Sequence, residues 1–230
     1  MPRTYALAGV DVPRVGLGTN RLTDDSDGVA FIRAAVEAGV RHIDTAHLYT
    51  GGASERAIGE ALAGGRDDVV IATKGGYHPG EGRPDVLDAQ IAQSLEALRT
   101  EVIDLYYLHR VDPETPLEES LGAIKAHVDR GTIRAAGISD ASVEQVERAR
   151  EVLPIAAVQN EYNAGHRDYD DVVDHCEANG IAFVAYYPLH GGNGSSADKL
   201  RALLDRSSSL LPIPGTRSIE HLRENLAALD

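Results

Sequence analysis

The 230-residue chain has no tryptophan, a single cysteine at Cys176 and no long run of apolar residues. A lone cysteine cannot form an internal disulfide, which excludes a disulfide scaffold and is typical of a reducing compartment. Without an apolar run of about 18 to 20 residues, a membrane-spanning helix is not expected. The chain starts with MPRTYALAGV, which has no basic stretch followed by an apolar core, so we expect no secretory signal and a cytoplasmic location.

Positive charge is also scarce. The chain has 22 lysine and arginine residues against 36 aspartate and glutamate residues, a formal net charge of −14, and the basic residues form no cluster. Such a surface repels a phosphate backbone, so we expect no nucleic-acid partner. The three lysines are Lys74, Lys125 and Lys199. The length predicts a single domain over residues 1–230.

Short β-branched runs alternate with longer segments whose apolar residues recur at helical spacing. The predicted strands cover residues 14–18, 41–44, 69–74, 103–109, 132–137, 156–160, 182–186 and 210–213. The predicted helices cover residues 25–38, 54–63, 85–98, 116–129, 142–152, 169–179, 197–206 and 218–229. Eight strand–helix units predict an α/β fold, a (β/α)8 TIM barrel. A doubly wound open sheet is the alternative, but no G-x-G-x-x-G motif opens a helix.

Local signals support several of these boundaries. Residues 4–11, TYALAGVD, predict a hairpin ahead of the first barrel strand that closes the bottom of the barrel. Helix-capping pairs are predicted at Ser142 with Gln145 and at Ser218 with His221, and capping glycines at Gly39, Gly131 and Gly180. The flexible stretch 191–196, GGNGSS, follows the seventh strand and is expected over the catalytic face.

Active sites of such barrels lie at the carboxyl ends of the strands, so the polar residues there are the candidates. In chain order they are Asp44, Lys74, His109, Ser139, Asp140, Gln159, Asn160 and Tyr186, with Tyr49 in the loop after the second strand.

Four of these residues have plausible joint chemistry. The ammonium of Lys74 would lower the high pKa of the Tyr49 phenol, and Asp44 would keep the lysine charged in a desolvated pocket. His109 could donate a hydrogen bond to a substrate oxygen. The set predicts a proton donor for the reduction of a carbonyl group by a hydride.

Each of the four also has a structural interpretation. Lys74 could reach solvent from the end of a buried strand, and Asp44 could cap a helix or form a structural ion pair. Tyr49 could be a packing residue and His109 a satisfied core histidine. The strand ends do not supply a set of ligands with metal spacing, so we expect no metal site.

A second candidate site lies in LPIPGTRSIEHLRENL. Thr216, Arg217 and Ser218 stand at the start of the last helix, where backbone donors, hydroxyl groups and a guanidinium favour an anion such as a phosphate. An ordinary capped helix with a solvent-exposed arginine is the alternative. Tyr186 could stack on a planar heterocycle or pack in the core.

Seven blocks of the chain resemble the aldo-keto reductase superfamily, in that family's order. They are GVRHIDTAHLYTGGASERAIGEAL, VVIATK, DLYYLHRVDP, GTIRAAGISD, VQNEYN, FVAYYPL and LPIPGTRSIEHLRENL. The resemblance implies NADPH-dependent reduction of aldehydes or ketones, with Tyr49, Asp44, Lys74 and His109 as the catalytic tetrad. It further implies a cofactor site formed by Gly18, Thr19, Asn20, Ser139, Asp140, Gln159, Tyr186, Pro188, Leu189, Gly191, Pro214, Gly215, Thr216, Arg217, Ser218, Glu224 and Asn225.

Some positions depart from the family pattern. Arg217 can pair with a 2′-phosphate and favours NADPH, but Gly215 and His221 stand where many NADPH-preferring members carry lysine and arginine, so NADH is the alternative cofactor. Asp140 replaces the usual asparagine, and an ionised carboxylate cannot donate a hydrogen bond to the nicotinamide carboxamide. Weaker or rearranged nicotinamide binding is the expected consequence.

The chain is also shorter than many members of the family. From the comparison with the family pattern we expect a block between Tyr187 and Leu210 to be missing and the carboxy-terminal substrate loop to be absent, and Asn20 replaces an aromatic residue that often lines the substrate pocket. We therefore expect a wide cleft with weak affinity for small carbonyl compounds and room for a bulky one.

Two functions of other classes stay open. One is a nicotinamide-binding regulatory or redox-sensing protein with little turnover. The other is a barrel lyase or isomerase in which Lys74 forms a Schiff base. For the favoured reductase, we expect a monomer or a weak homo-oligomer.

Overall fold

The computed structural model describes residues 2–66 and 68–230, and its chain begins with a β-hairpin. Strand β1, Thr4–Leu7, pairs antiparallel with β2, Val10–Pro13, as predicted for residues 4–11. The hydroxyl of Tyr5 donates to the carbonyl of Gly180, just ahead of a barrel strand, at 3.1 Å. The hairpin therefore covers the amino ends of the barrel strands.

Eight strands form one parallel sheet in which every strand lies beside its neighbour in the sequence. They are β3 Leu17–Gly18, β4 His42–Asp44, β5 Val70–Gly75, β6 Ile103–Leu108, β7 Ile133–Ser139, β8 Ile155–Glu161, β9 Ala182–Tyr186 and β10 Leu210–Pro212. The sheet closes on itself because the Gly16 amide donates to Pro212 O at 3.0 Å and the Gly18 amide to Pro214 O at 3.2 Å. A side chain at Gly18 would place its Cβ 2.8 Å from Ile213 O, so this seam requires glycine.

A helix follows each barrel strand. The helices are α1 Ser26–Glu37, α2 Ala53–Ala61, α3 Pro84–Ala97, α4 Leu117–Arg130, α5 Val143–Val152, α6 Asp170–Asn179, α7 Ser196–Arg206 and α8 Ile219–Leu226. The predicted capping box of Ser142 and Gln145 is present, and the Ser218 hydroxyl accepts from the His221 amide at 3.3 Å. The (β/α)8 barrel predicted from the sequence is confirmed.

The first barrel strand is shorter than predicted, since β3 begins at Leu17 and not at residue 14. Arg14 is instead buried at the amino end of the barrel, where its amide donates to Arg3 O at 3.0 Å. Its guanidinium donates to the carbonyls of Leu204 at 3.0 Å and Leu210 at 3.2 Å. The side chain joins the hairpin to α7 and β10, which removes it from the strand.

The apolar core has two layers. The larger lies between the strands and the helices, and the smaller fills the barrel interior. Leu7 and Val12 of the hairpin pack in the inner layer against the strand residues Val70, Ala72, Leu105, Tyr107, Ala157, Ala182, Val184 and Leu211. In the ranges 2–66 and 68–230, none of the helices has the length and apolar character needed to cross a membrane.

Candidate active site

A cleft of about 550 Å3 opens at the carboxyl ends of the strands. Three of the four predicted catalytic side chains line it, namely Asp44, Tyr49 and His109. The predicted cofactor residues that line it are Gly18, Thr19, Asn20, Ser139, Asp140, Gln159, Tyr186, Pro188, Leu189, Pro214, Gly215, Thr216 and Arg217. Residues remote in the sequence therefore meet at one mouth of the barrel.

Lys74 lies beneath the floor of this cleft with none of its surface exposed to solvent. Its Nζ donates to Asp44 Oδ1 at 2.6 Å and to the Thr45 carbonyl at 2.6 Å. Burial is the largest single effect and works against the ammonium, but the charges and hydrogen bonds of Asp44 and Tyr49 together outweigh it, so the pKa of Lys74 is raised. The lysine is therefore held as a buried cation, as the pairing with Asp44 predicted.

Tyr49 opens a short 3₁₀ turn, Tyr49–Gly52, between β4 and α2. The next residue, Thr50, has a φ of +50°, and its hydroxyl donates to the Leu22 carbonyl at 2.6 Å, which fixes the turn beside the loop after β3. The Lys74 Nζ lies 5.0 Å from the centroid of the Tyr49 ring. Tyr49 and Lys74 are thus adjacent, although their sequence positions lie on different βα units.

The pKa of Tyr49 is raised because the ring is desolvated by burial. Lys74 acts in the predicted direction, since its charge and a side-chain hydrogen bond lower the pKa of this phenol, but desolvation is the larger effect. Tyr49 is therefore protonated at neutral pH and available as an acid.

His109 follows β6 and is 7% exposed. Its ring centroid lies 6.0 Å from that of Tyr49, edge to face. Burial, together with the charges of Lys74 and Arg110, lowers the pKa of His109 to about 2, so the imidazole is neutral. Its Nδ1 is buried with no hydrogen-bond partner in the described part of the chain, which leaves Nε2 as the nitrogen facing the cleft.

Ser139, Asp140 and Gln159 end two neighbouring strands, β7 and β8. The Ser139 hydroxyl donates to the Gln159 carbonyl at 2.8 Å, and Gln159 Nε2 donates to Asp44 Oδ2 at 2.7 Å. Asp140 has a φ of +51°, and its Oδ1 accepts from the Tyr186 hydroxyl at 2.8 Å. Its Oδ2 lies 3.4 Å from the guanidinium of Arg110. These contacts connect the ends of five strands, β4, β6, β7, β8 and β9, around the cleft.

Thr216 and Arg217 line the cleft at the start of α8, where Ser218 is the N-cap. Arg217 is exposed, and among the described residues it forms no ion pair within 4 Å. The amino terminus of a helix favours an anion, and the free guanidinium adds a positive charge to it. This end of the cleft suits a phosphate group.

Four predicted cofactor residues do not line the cleft, and one of them, Ser218, is the N-cap of α8. Glu224 accepts from the Ser196 amide at 3.1 Å, so it caps the start of α7. Asn225 is 2% exposed, and its Oδ1 lacks a partner among the residues that the structure describes. Gly191 lies against Gly165, whose amide would be 2.6 Å from a Cβ at position 191.

The structure also adds cleft residues that the sequence analysis missed, namely Arg21, Leu22, Leu48, Tyr77, Arg110, Tyr187, His190 and Ile213. Arg110 carried a usable signal because it directly follows His109 at the end of β6. Its guanidinium lies 4.6 Å from the centroid of the Tyr77 ring. The other residues lie mostly in loops, where neither strand nor helix periodicity marks the side that faces the cleft.

A closed barrel with an ionisable cluster at the carboxyl ends of its strands has the architecture of a TIM-barrel enzyme. The family model described as Aldo/keto reductase family matches residues 14–202, and the chain belongs to that family. The protein is accordingly an oxidoreductase, as the resemblance of the seven sequence blocks implied.

Similar proteins support this assignment. An oxidoreductase of Schizosaccharomyces pombe is 33% identical over 259 residues, which cover 98% of this chain and 84% of the relative. A match of 259 residues exceeds the 230 of this chain by 29, so the relative carries residues inside the matched region that are missing here.

Two solved structures show the same fold. A thermostable aldo-keto reductase in complex with the inhibitor epalrestat has a TM-score of 0.87 and 31% identity, with 99% of each chain covered. An aldo-keto reductase from Klebsiella pneumoniae in complex with NADPH has a TM-score of 0.88 and 28% identity, with 100% of this chain and 90% of that chain covered.

Proposed function

We propose that the protein reduces an aldehyde or ketone to an alcohol with NADPH, and that Tyr49 is the general acid. One observation carries the proposal: the buried ion pair of Lys74 and Asp44 lies directly beneath Tyr49, with neutral His109 beside it. A protonated phenol and a neutral imidazole at one cleft can both face the same carbonyl oxygen.

The residues of the cleft fit a nicotinamide cofactor. The Ser139 hydroxyl donates its hydrogen to the Gln159 carbonyl, and Gln159 donates one amide hydrogen to Asp44, so Ser139 Oγ and Gln159 Oε1 can accept from a carboxamide NH₂ group. Tyr186 offers a ring for stacking, and Thr216 with Arg217 offers an anion site at the start of α8. NADPH in the Klebsiella pneumoniae relative supports this choice, and Arg217 favours the 2′-phosphate form over NADH.

When bound, the cofactor supplies a hydride to the carbonyl carbon. Tyr49 donates its proton to the carbonyl oxygen, and His109 Nε2 orients that oxygen through a hydrogen bond. Lys74 stabilises the phenolate that Tyr49 becomes, because the electrostatic attraction of a fixed ammonium is strongest in a desolvated site. Asp44 and Gln159 hold the lysine in place. In alcohol oxidation, Tyr49 acts as the base.

The Schiff-base alternative is not supported by the state of Lys74. A nucleophilic lysine must be a neutral amine, whereas the contact with Asp44 raises the pKa of Lys74 and keeps it protonated. The regulatory alternative predicts cofactor binding without turnover. We further propose that the protein acts in the cytoplasm as one domain, either alone or as a weak homo-oligomer.

The test is the loss of NADPH absorbance with a panel of aldehydes and ketones. Tyr49→Phe is expected to reduce turnover by about 10² to 10⁴-fold, because only the acidic proton is removed. Tyr5→Phe is the matched control, since Tyr5 contacts Gly180 at the opposite end of the barrel. Full activity in Tyr49→Phe overturns the role of Tyr49, and NADPH binding with no turnover across the panel favours the regulatory alternative.

A further inference from the structure

Asp140 is the one carboxylate of the cleft that lacks a close cationic partner. The other carboxylate that lines the cleft, Asp44, lies 2.6 Å from the Lys74 ammonium, so that pair is nearly neutral. The Asp140 carboxylate is 3.4 Å from the Arg110 guanidinium, which is longer than the 2.7 to 2.9 Å typical of a charge-assisted hydrogen bond.

The two charges are also unequally exposed. The Asp140 side chain is 22% exposed, whereas that of Arg110 is 50% exposed. Water and ions screen an exposed guanidinium more than a half-buried carboxylate, so Arg110 compensates Asp140 only in part. Glu161, two residues beyond Gln159, adds negative charge near Asp140, and the positive charge that Lys74 adds there is offset by its partner Asp44. The cleft is therefore negative where β7 and β9 end.

This negative end coincides with the nicotinamide site. Asp140 directly follows Ser139 in the sequence. Its backbone amide donates to the carbonyl of Gln159 on the neighbouring strand at 3.0 Å, so it lies next to both residues. Its Oδ1 accepts from the hydroxyl of Tyr186, the ring proposed to stack on the nicotinamide. A ligand ring on Tyr186 is thus close to the carboxylate.

The ring of an oxidised nicotinamide carries a positive charge, and the reduced ring carries none. Resting on the proposed function, we infer that Asp140 makes the cleft favour NADP⁺ over NADPH and that Arg110 opposes this preference. A unit charge acting across several ångströms of partly screened protein changes an equilibrium by roughly three- to thirty-fold. Asp140 and Arg110 are then a pair of opposing residues that set the cofactor oxidation state the protein prefers.

The experiment measures the dissociation constants of NADP⁺ and NADPH by titration calorimetry at pH 8, without any substrate. Asp140→Asn keeps an oxygen for the Tyr186 hydroxyl, so it removes the charge with little change in shape. The ratio of the NADP⁺ constant to the NADPH constant is expected to rise about tenfold in this variant. Arg110→Gln is expected to lower the same ratio, and the double variant to lie near the wild-type value.

The two single variants are expected to shift the ratio in opposite directions. This distinguishes an effect of charge from a structural effect, because a packing defect weakens the binding of both cofactors alike. Asp11→Asn is the matched control, as it removes the same charge from the exposed hairpin at the other end of the barrel. An unchanged ratio in Asp140→Asn, or a shift in the same direction in both single variants, overturns the inference. Failure of the wild type to bind either cofactor overturns the proposed function instead.

Discussion

Gln159 Nε2 donates to Asp44 Oδ2 at 2.7 Å across the mouth of the barrel, between residues 115 positions apart in the sequence. Lys74 occupies the other oxygen of the same carboxylate. Since all three side chains are buried, the carboxylate has a single orientation that three strands define. The orientation of the Asp44 carboxylate therefore depends on β5 and β8 as well as on its own strand, β4.

Breaking this buried ion pair is expected to destabilise the fold. Asp44→Asn leaves the Lys74 ammonium without a counter-charge, which costs about 3 to 5 kcal/mol of unfolding free energy. Lys74→Met leaves the carboxylate unpaired in the same way. In the double variant no buried charge is left unpaired. Its loss of unfolding free energy is therefore expected to be smaller than the sum of the losses in the two single variants. Urea unfolding of the four proteins measures this, and strictly additive losses would contradict it.

The two directions of the reaction are expected to differ in pH dependence. Burial raises the pKa of Tyr49 above its ordinary value of 10.0, so the phenol is protonated from pH 6 to 9. Carbonyl reduction uses the protonated form and is expected to be flat over this range. Alcohol oxidation uses the phenolate, whose fraction rises about tenfold for each pH unit. Steady-state kcat/KM in both directions measures this, and a plateau of the oxidation profile below pH 8 would contradict it.

His42 is expected to make the protein less stable in acid. Burial lowers the pKa of His42 from 6.5 to about 4, and both ring nitrogens lack a partner in the described part of the chain. Between these two values the unfolded chain binds more protons than the folded one, so stability falls as the pH is lowered from 6.5 to 4. Above pH 6.5 this residue imposes no penalty.

His42→Gln removes that titration. The slope of unfolding free energy against pH between about 4.5 and 6 is expected to decrease by about 1.4 kcal/mol per pH unit. The exposed His78 supplies a matched variant, His78→Gln, in which one histidine is replaced at the surface. Equal slopes in wild type and His42→Gln would show that the buried imidazole does not govern the acid sensitivity.

The hairpin is expected to contribute stability and not catalysis. Leu7 is 1% exposed and packs inside the amino end of the barrel, so Leu7→Ala should cost about 2 to 5 kcal/mol. Thr4→Ala, at an exposed position of the same strand, should cost far less. Below the unfolding transition, kcat/KM should be the same in all three proteins. A tenfold loss of kcat/KM in folded Leu7→Ala would show that the two ends of the barrel are coupled.

The fold could be predicted because each βα unit carries its own local signals. Strand runs, helical spacing and caps such as Ser142 are properties of short segments, and the count of units then defines the barrel. The start of β3 was predicted wrongly because the bonds of Arg14 to α7 and β10 are long-range contacts that no local pattern records.

In the candidate site, too, some residues could be predicted from local sequence signals and others could not. Lys74 and His109 could be placed at the cleft because the end of a barrel strand always faces it. The contact of Arg110 with Asp140 could not, since it joins two exposed or half-buried side chains on different strands. Tyr187 and His190 lie in the loop after β9, and their stacked rings, 4.9 Å apart, follow from loop geometry alone.

The seam between β3 and β10 joins residues 16–18 to residues 212–214, and its partners Gly16 and Pro212 are 196 positions apart. During synthesis on the ribosome, a growing chain cannot form this junction until residues 212–214 have been made. Gly18 and Pro214 both line the cleft, so the pocket for the cofactor is completed in the same event. Binding of a ligand in this cleft is then a measure of seam formation in a nascent polypeptide, because a chain that stops before residue 212 lacks the Gly18–Pro214 part of the binding surface.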